Sequence, residues 1–174
     1  MRLEVHRRLQ DLAEHSGQEY GKLVQKLLAI ALCECGATRL TERSTQGIDL
    51  EVVLADGRAL AFEVKTTVSG EVTFGRKDIK GLEARAVQGL VPYFAVLGLR
   101  LVDDWVLAQY HPGEVQPGRP YSPTRLRAYR DADLEALVCP RFEEVVNRHA
   151  QLAFEGGQAA LDSVLSAYAC YAIA

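Results

Sequence analysis

Apolar residues recur at helical spacing over the first 35 residues of the chain. This spacing predicts one helix over residues 2–14 and a second helix that begins after Ser16 and ends near Gly36. Ser16 and Glu19 have the spacing of a capping box, in which the two side chains bond backbone N–H groups at a helix start. The chain is therefore expected to begin with two amphipathic helices.

Alternating and β-branched residues replace this pattern in the middle of the chain. We predict strands over residues 38–43, 66–74 (with a break at Ser69-Gly70), 93–99 and 105–110, and a helix over residues 76–89. Two apolar-rich runs flank Asp56-Gly57, which is a strong signal for a β-hairpin. This order predicts an α/β fold with a mixed β-sheet flanked by helices.

The pattern of residue types changes again at His111, where prolines and glycines indicate a loop. Helical segments are predicted at about 124–130, 131–138 and 141–154, and a last helix follows a break at Gly156-Gly157. We divide the chain into an N-terminal helix (1–16), a core (17–111) and a C-terminal loop and helical extension (112–174).

Composition narrows the class of protein only slightly. The 174 residues carry a net charge of -3, so no overall basic excess points to nucleic acid. Residues 1–16 lack the apolar centre of a signal peptide, and no apolar run approaches the ~18 residues of a membrane span. We therefore expect a cytoplasmic protein without a membrane partner. Four cysteines lack the spacing of a zinc site: Cys33, Cys35, Cys139 and Cys170.

The hairpin carries the residues with the clearest chemistry. Side chains alternate along a strand, so Glu63 and Lys65 share one face, while Phe62 and Val64 point into a core. Asp49 begins the partner strand, which brings two carboxylates and one ammonium group together. A surface hairpin with an ordinary Glu/Lys pair remains the alternative.

Several segments around this hairpin resemble the PD-(D/E)xK nuclease superfamily and, more narrowly, the archaeal Holliday junction resolvases. The resemblance covers roughly residues 17–110, and it departs from the family pattern at Tyr20, where arginine is usual, and at Ile48, where the superfamily name has proline. The matching segments are Ser16-Gly17-Gln18-Glu19, Arg43-Ser44, Ile48-Asp49-Leu50, residues 62–67, residues 74–82 and residues 91–97.

The resemblance implies a restriction-endonuclease-like fold and a nuclease core over residues 17–111. Phosphodiester cleavage needs an activated water and a stabilised leaving oxygen, and Mg²⁺ (or Mn²⁺ in its place) bound by carboxylates serves both needs. Asp49, Glu63 and the backbone carbonyl of Val64 are the expected metal ligands. Lys65 would orient or deprotonate the water, or neutralise the phosphate. Glu19 would complete the acidic cluster from its helix.

Basic and hydroxyl side chains elsewhere are candidates for DNA contacts, with a solvated surface as the alternative. One group precedes Asp49, a second opens the helix at residue 76, and a third is interleaved with tyrosines after residue 118. The predicted DNA-binding residues are Arg43, Ser44, Thr45, Arg76, Lys77, Lys80, Arg125, Arg127 and Arg130.

The sequence therefore predicts a metal-dependent DNA endonuclease, structure-selective and Holliday junction resolvase-like, acting in DNA recombination or repair. A homodimer is expected, because two symmetric nicks in a branched DNA need two sites related by a two-fold axis. Two alternatives remain open. One is a restriction-like, repair or viral endonuclease on linear DNA, and the other is a non-catalytic nucleic-acid-binding or assembly module.

Overall fold

A computed structural model describes residues 1–43, 48–100 and 104–173. Both helices and strands occur along these ranges, as the sequence predicts for an α/β fold. The helices are α1 (Leu3–Ser16), α2 (Tyr20–Glu34), α3 (Arg76–Val87), α4 (Pro123–Leu126) and α5 (Ala132–Leu165). The strands are β1 (Ala37–Glu42), β2 (Leu50–Leu54), β3 (Ala59–Thr67), β4 (Val72–Thr73), β5 (Val91–Gly98), β6 (Trp105–Gln109), β7 (Pro120–Tyr121) and β8 (Tyr171–Ile173).

Six of these strands form one mixed sheet in the order β6-β5-β3-β2-β1-β8. The pairs β3–β5 and β1–β8 are parallel, and the other neighbours are antiparallel. Strands β4 and β7 pair separately as a two-stranded sheet. The mixed sheet flanked by helices is confirmed.

The Asp56-Gly57 hairpin forms as predicted between β2 and β3. Gly57 has a φ of +86°, a left-handed conformation that glycine adopts without steric cost. Leu50 pairs with Phe62 at the open end of the hairpin, which fixes the register in which Asp49 meets β3. The position of the candidate site therefore follows from this turn.

The sheet has a hydrophobic core on each face. Phe62 and Val64 of β3 pack with α1, α2 and α5 on one face, whereas Ala61 packs with Ile79 and Leu82 of α3 on the other. Helix α2 is buried almost all round, as expected of a helix packed between a sheet and other helices. The alternation of β3 thus directs Glu63 and Lys65 toward the α3 face.

The connection between α1 and α2 differs from the prediction. Helix α1 runs on to Ser16, Gly17 follows with a φ of +53°, and a 3₁₀ turn over Gly17–Glu19 leads into α2. Neither Ser16 nor Glu19 makes a side-chain cap. The predicted capping box is wrong, because α1 is longer than its apolar pattern indicated and leaves no separate cap position for Ser16.

The C-terminal residues form two helical segments, divided at Gly157, whereas three helices were predicted. The first segment of α5 continues through Pro140, where two helices were predicted. The non-helical backbone of Gly157 confirms the break predicted at Gly156-Gly157. Helix α5 packs against α1 and α2 in the larger core. The last predicted helix ends at Leu165, and the chain then adds β8 to the edge of the sheet, which the sequence pattern did not predict.

Within the described ranges, no helix combines the length and apolar character that crossing a membrane requires. The four cysteines are free thiols, and Cys33 is the most deeply buried of them.

Candidate active site

Strand β3 presents Glu63 and Lys65 side by side at the centre of the sheet. The two residues have the alternation of one strand face, and the Lys65 Nζ atom lies 2.6 Å from the Glu63 Oε1 atom. Glu63 is only 4% exposed, whereas Lys65 is half-buried. The structure brings together the acid and the base that the Glu-x-Lys pattern predicted.

Asp49 closes the open end of the hairpin against the same strand. Its backbone N–H donates to the Phe62 carbonyl at 2.9 Å, and its Oδ2 atom accepts the Val64 N–H at 2.9 Å. The N–H and C=O of one strand residue point to the same side of the strand. The Val64 carbonyl therefore also faces the end of β2, beside the Asp49 carboxylate.

The electrostatics of Glu63 reflect its burial and its neighbours. Burial raises the pKa of the Glu63 carboxyl to about 7, and the negative charge of Asp49 adds to this effect, while Lys65 opposes it. For Lys65, burial lowers the pKa, but Glu63 and Asp78 outweigh burial and leave the net pKa above its usual value. Asp49 and Glu63 thus form a close acidic pair, which is the charge pattern of a cation site.

Two charged side chains that the sequence did not single out approach the pair from opposite faces of the sheet. Lys22 of α2 donates to the Asp49 Oδ1 atom at 3.2 Å and to the Gln25 Oε1 atom at 2.8 Å. Asp78 of α3 lies with its Oδ2 atom 3.1 Å from the Lys65 Nζ atom.

Only one of these two residues had a usable signal in the sequence. Asp78 stands three residues after Gly75 at a predicted helix start, where an acid commonly caps the backbone, and its Oδ2 atom accepts the Gly75 N–H at 2.9 Å. Lys22 had no such signal, because its contact depends on how α2 docks on the sheet.

Glu19 lies apart from this cluster. It ends the 3₁₀ turn before α2, it is exposed, and it makes no hydrogen bond or ion pair with the residues that the structure describes. It stands three residues before Lys22 in the sequence. Its predicted role in an acidic cluster stays a prediction.

The donor set around Asp49 and Glu63 has the chemistry that Mg²⁺ requires, namely carboxylate and carbonyl oxygens. Over residues 1–43, 48–100 and 104–173, no three His, Cys, Asp or Glu side chains already stand in a metal-binding arrangement. Instead, the Lys22 ammonium group contacts the Asp49 carboxylate, and the Lys65 ammonium group contacts the Glu63 carboxylate. A cation at Glu63 would offset the burial that raises the pKa of this carboxyl.

The basic residues of α3 lie on the helix whose Asp78 contacts Lys65. Arg76, Lys77 and Lys80 are exposed and line an open cleft of about 520 Å³ together with Arg85. The Gly75 N–H, which could otherwise bind an anion, is already taken by Asp78. The exposed side chains of Arg76, Lys77 and Lys80 supply positive charge to this cleft.

The short sheet β4–β7 brings one more arginine to the start of α3. Thr73 pairs with Pro120, and the Gly118 N–H donates to the Phe74 carbonyl at 2.8 Å. The exposed Arg119 stands between these two contacts. Arg119 therefore lies near the start of α3, although the two are far apart in sequence.

The other predicted DNA-binding residues have different surroundings. Arg43 donates to the Glu51 Oε2 atom at 3.1 Å, and Arg125 lies over the Tyr121 ring at 5.1 Å. Arg127 and Arg130 line a separate cavity of about 330 Å³. Ser44 and Thr45 lie outside the described residues.

Comparisons with known proteins identify no family for this chain. No protein-family model matches it, and no curated protein matches it at a significant level.

Proposed function

We propose that this protein is a metal-dependent DNA endonuclease of the PD-(D/E)xK type. The observation that carries the proposal is the convergence of Asp49, Glu63 and Lys65 at the open end of the β2–β3 hairpin. Asp49 bonds the Val64 N–H at 2.9 Å, and Lys65 lies 2.6 Å from Glu63. These three residues and their spacing are the ones that carry the resemblance in sequence.

The acidic pair would hold Mg²⁺ through Asp49, Glu63 and the Val64 carbonyl, and Mn²⁺ would substitute. Bound there, the metal supplies Lewis-acid stabilisation of the phosphate and a more acidic water. Lys65 provides a positive charge and a proton donor beside the pair, and it orients the attacking water or neutralises a phosphate oxygen. Glu19, three residues before Lys22 in the sequence, would serve as an outer acid.

The basic residues of α3 and Arg119 would bind DNA as it approaches the acidic pair. Arg76, Lys77 and Lys80 stand on the helix whose Asp78 contacts Lys65, and Arg119 is next to the start of that helix. Basic side chains in such a row bind phosphates without reading sequence. This favours recognition of DNA shape, and we propose a homodimeric, Holliday junction resolvase-like activity in recombination or repair.

Cleavage assays test the enzyme assignment directly. Purified protein with Mg²⁺ is incubated with a four-way junction, a flap and the component linear duplexes. Wild type should cut at least one of them, and Asp49→Asn or Lys65→Ala should slow cutting by about 10²–10⁴-fold because each removes a group used in the reaction. Asp11→Asn, an exposed acid on α1, is the matched control and should cut normally. If wild type leaves every substrate intact, the nuclease proposal is wrong.

The same panel separates the branched-DNA proposal from a restriction-like, repair or viral endonuclease. A resolvase-like enzyme cuts the junction at symmetric positions and leaves the duplexes largely intact. Equal rates on the junction and on its component duplexes would assign the protein to linear DNA.

A non-catalytic module is a second candidate, and one observation favours it. Asp49 is ion-paired with Lys22 and Glu63 with Lys65, so the acidic pair is already neutralised by the chain itself. Calorimetric titration with Mn²⁺ distinguishes the two readings. Binding that is lost in Glu63→Gln supports the nuclease, whereas the absence of binding to wild type supports the module.

A further inference from the structure

Lys65 is held by two carboxylates from different elements of the fold. Glu63 comes from the same strand, and its Oε1 atom lies 2.6 Å from the Lys65 Nζ atom. Asp78 comes from the first turn of α3, and its Oδ2 atom lies 3.1 Å from the same nitrogen. Glu63 and Asp78 therefore fix the ammonium group from two sides.

The carboxylate of Asp78 is itself fixed by the backbone. The same Oδ2 atom accepts the Gly75 N–H at 2.9 Å, which closes the first turn of α3 around the carboxylate. Lys65 is thereby connected to the helix that presents Arg76, Lys77 and Lys80. A single side chain joins the lysine of β3 to the basic cleft.

We propose that Asp78 is a positioning residue for Lys65 in DNA cleavage, an inference that rests on the proposed nuclease function. Glu63 has two demands on its carboxylate, since it is both a proposed metal ligand and a partner of Lys65. When Glu63 serves the metal, Asp78 keeps the Lys65 ammonium beside the acidic pair. Asp78 acts through Lys65 and has no contact with DNA.

If Asp78 has this role, removing its charge should slow cleavage without weakening DNA binding. Removing the charge of Asp78 loosens Lys65, so kcat should fall by about tenfold to hundredfold, as when outer partners of a metal site are removed. The same change removes a negative charge next to Arg76 and Lys77, so DNA should bind equally well or more tightly. A merely structural role predicts the reverse for binding, because a frayed α3 would displace the basic residues.

The experiment compares Asp78→Asn with wild type on a four-way junction and its component duplexes. Asparagine keeps an oxygen that can accept the Gly75 N–H but removes the charge that holds Lys65. We measure kcat and KM with Mg²⁺, and Kd for the same DNA without divalent metal. Glu83→Gln is the matched control, because it removes the same charge from α3 at a residue that contacts Tyr110 rather than Lys65.

The expected result is a lower kcat and an unchanged or lower Kd for Asp78→Asn. Glu83→Gln should show a normal kcat and a Kd that is likewise unchanged or lower. Asp78→Glu restores the charge and should recover part of kcat. If Asp78→Asn does not fold, Asp78→Ser supplies a smaller cap without the charge and is compared in the same way.

Two outcomes overturn the inference while the nuclease proposal stands. In the first, wild type cuts DNA and the charge-free variants cut equally fast. In the second, their loss of rate comes with weaker DNA binding, which assigns Asp78 to helix structure. A wild type that cuts no DNA instead overturns the nuclease proposal itself.

Discussion

The charge of Glu63 sets the pH dependence that we expect for the stability of the metal-free protein. Burial and Asp49 raise the pKa of this carboxyl to about 7 from its ordinary value of 4.5. Between these two values the folded protein binds more protons than the unfolded chain, so stability falls as pH rises. The folded state is favoured by protonation of Glu63 and is penalised once this buried carboxyl ionises.

Glu63→Gln should therefore change the pH profile of stability. The variant lacks the ionisable group, so in EDTA its stability relative to wild type should increase by on the order of 2–3 kcal/mol between pH 5 and pH 8. Urea unfolding at the two pH values measures the difference. Glu71→Gln, an exposed glutamate, serves as the control and should follow wild type.

Added Mg²⁺ provides the second half of this test. At pH 8 it should stabilise wild type, because a cation offsets the buried charge, and it should not stabilise Glu63→Gln. Parallel pH profiles for wild type and Glu63→Gln would contradict the assignment of a raised pKa to Glu63.

The sequence predicted the residues of the hairpin but not their partners. Glu63 and Lys65 follow from strand alternation, and Asp49 follows from the turn that sets the register. Lys22 and Asp78 come from helices on opposite faces of the sheet. Their contacts depend on docking distances that no local pattern encodes, so only Asp78 had even an indirect signal, through its cap.

Helix α5 shows how tertiary packing overrides local signals at the level of an element. Pro140 removes a backbone hydrogen bond, and the sequence pattern accordingly predicted two helices there. In the structure Leu134, Val138 and Phe142 are all buried in the same core on both sides of the proline. Packing of this continuous face stabilises a helix that propensity alone would interrupt.

Strand β8 lacked any signal that pattern reasoning could use. It has three residues, and its backbone bonds come from parallel pairing with β1 at the edge of the sheet. A strand so short has no measurable alternation, and its partner lies some 130 residues earlier in the chain. By contrast, the hairpin was predictable because both strands and their turn are adjacent in sequence.

The kink in α5 lies at Gly157, and replacing this residue gives a testable prediction about the helix. Gly157 has φ 59° and ψ −149°, a backbone conformation that is essentially restricted to glycine. Gly157→Ala should lower the free energy of unfolding by about 1–3 kcal/mol through backbone strain. Denaturant unfolding measures it, with Gln151→Ala on the exposed surface of the same helix as a control expected to change by less than about 0.5 kcal/mol. Equal stability of the two variants would mean that the helix straightens without cost.

At the scale of the whole molecule, a buried polar cluster joins the two ends of the chain to the sheet. Lys26 of α2 contacts the Glu42 Oε2 atom of β1 at 3.1 Å and the Asp162 Oδ1 atom of α5 at 2.5 Å. Glu42 also accepts from Gln25 at 3.0 Å and from the Tyr171 hydroxyl at 2.7 Å. Because Gln25 also binds Lys22, this cluster continues to Asp49 of the candidate site.

Removing the cation at the centre of this cluster should destabilise the whole fold. Lys26→Met keeps the length of the side chain but leaves Glu42 buried without its counter-charge, and breaking a buried pair costs about 3–5 kcal/mol. The control is Arg8→Ala, which breaks the exposed Arg8–Glu4 pair of α1 and should cost less than about 0.5 kcal/mol. Guanidinium unfolding of both variants measures the contrast.

The double variant Lys26→Met/Glu42→Gln removes both charges and should regain part of the lost stability. The reason is that Lys26→Met is destabilised by the unpaired Glu42 carboxylate and not by the missing contact. If the double variant loses as much stability as the sum of the losses of Lys26→Met and Glu42→Gln, each measured alone, the two charges are not coupled. The cluster would then contribute only packing around α2.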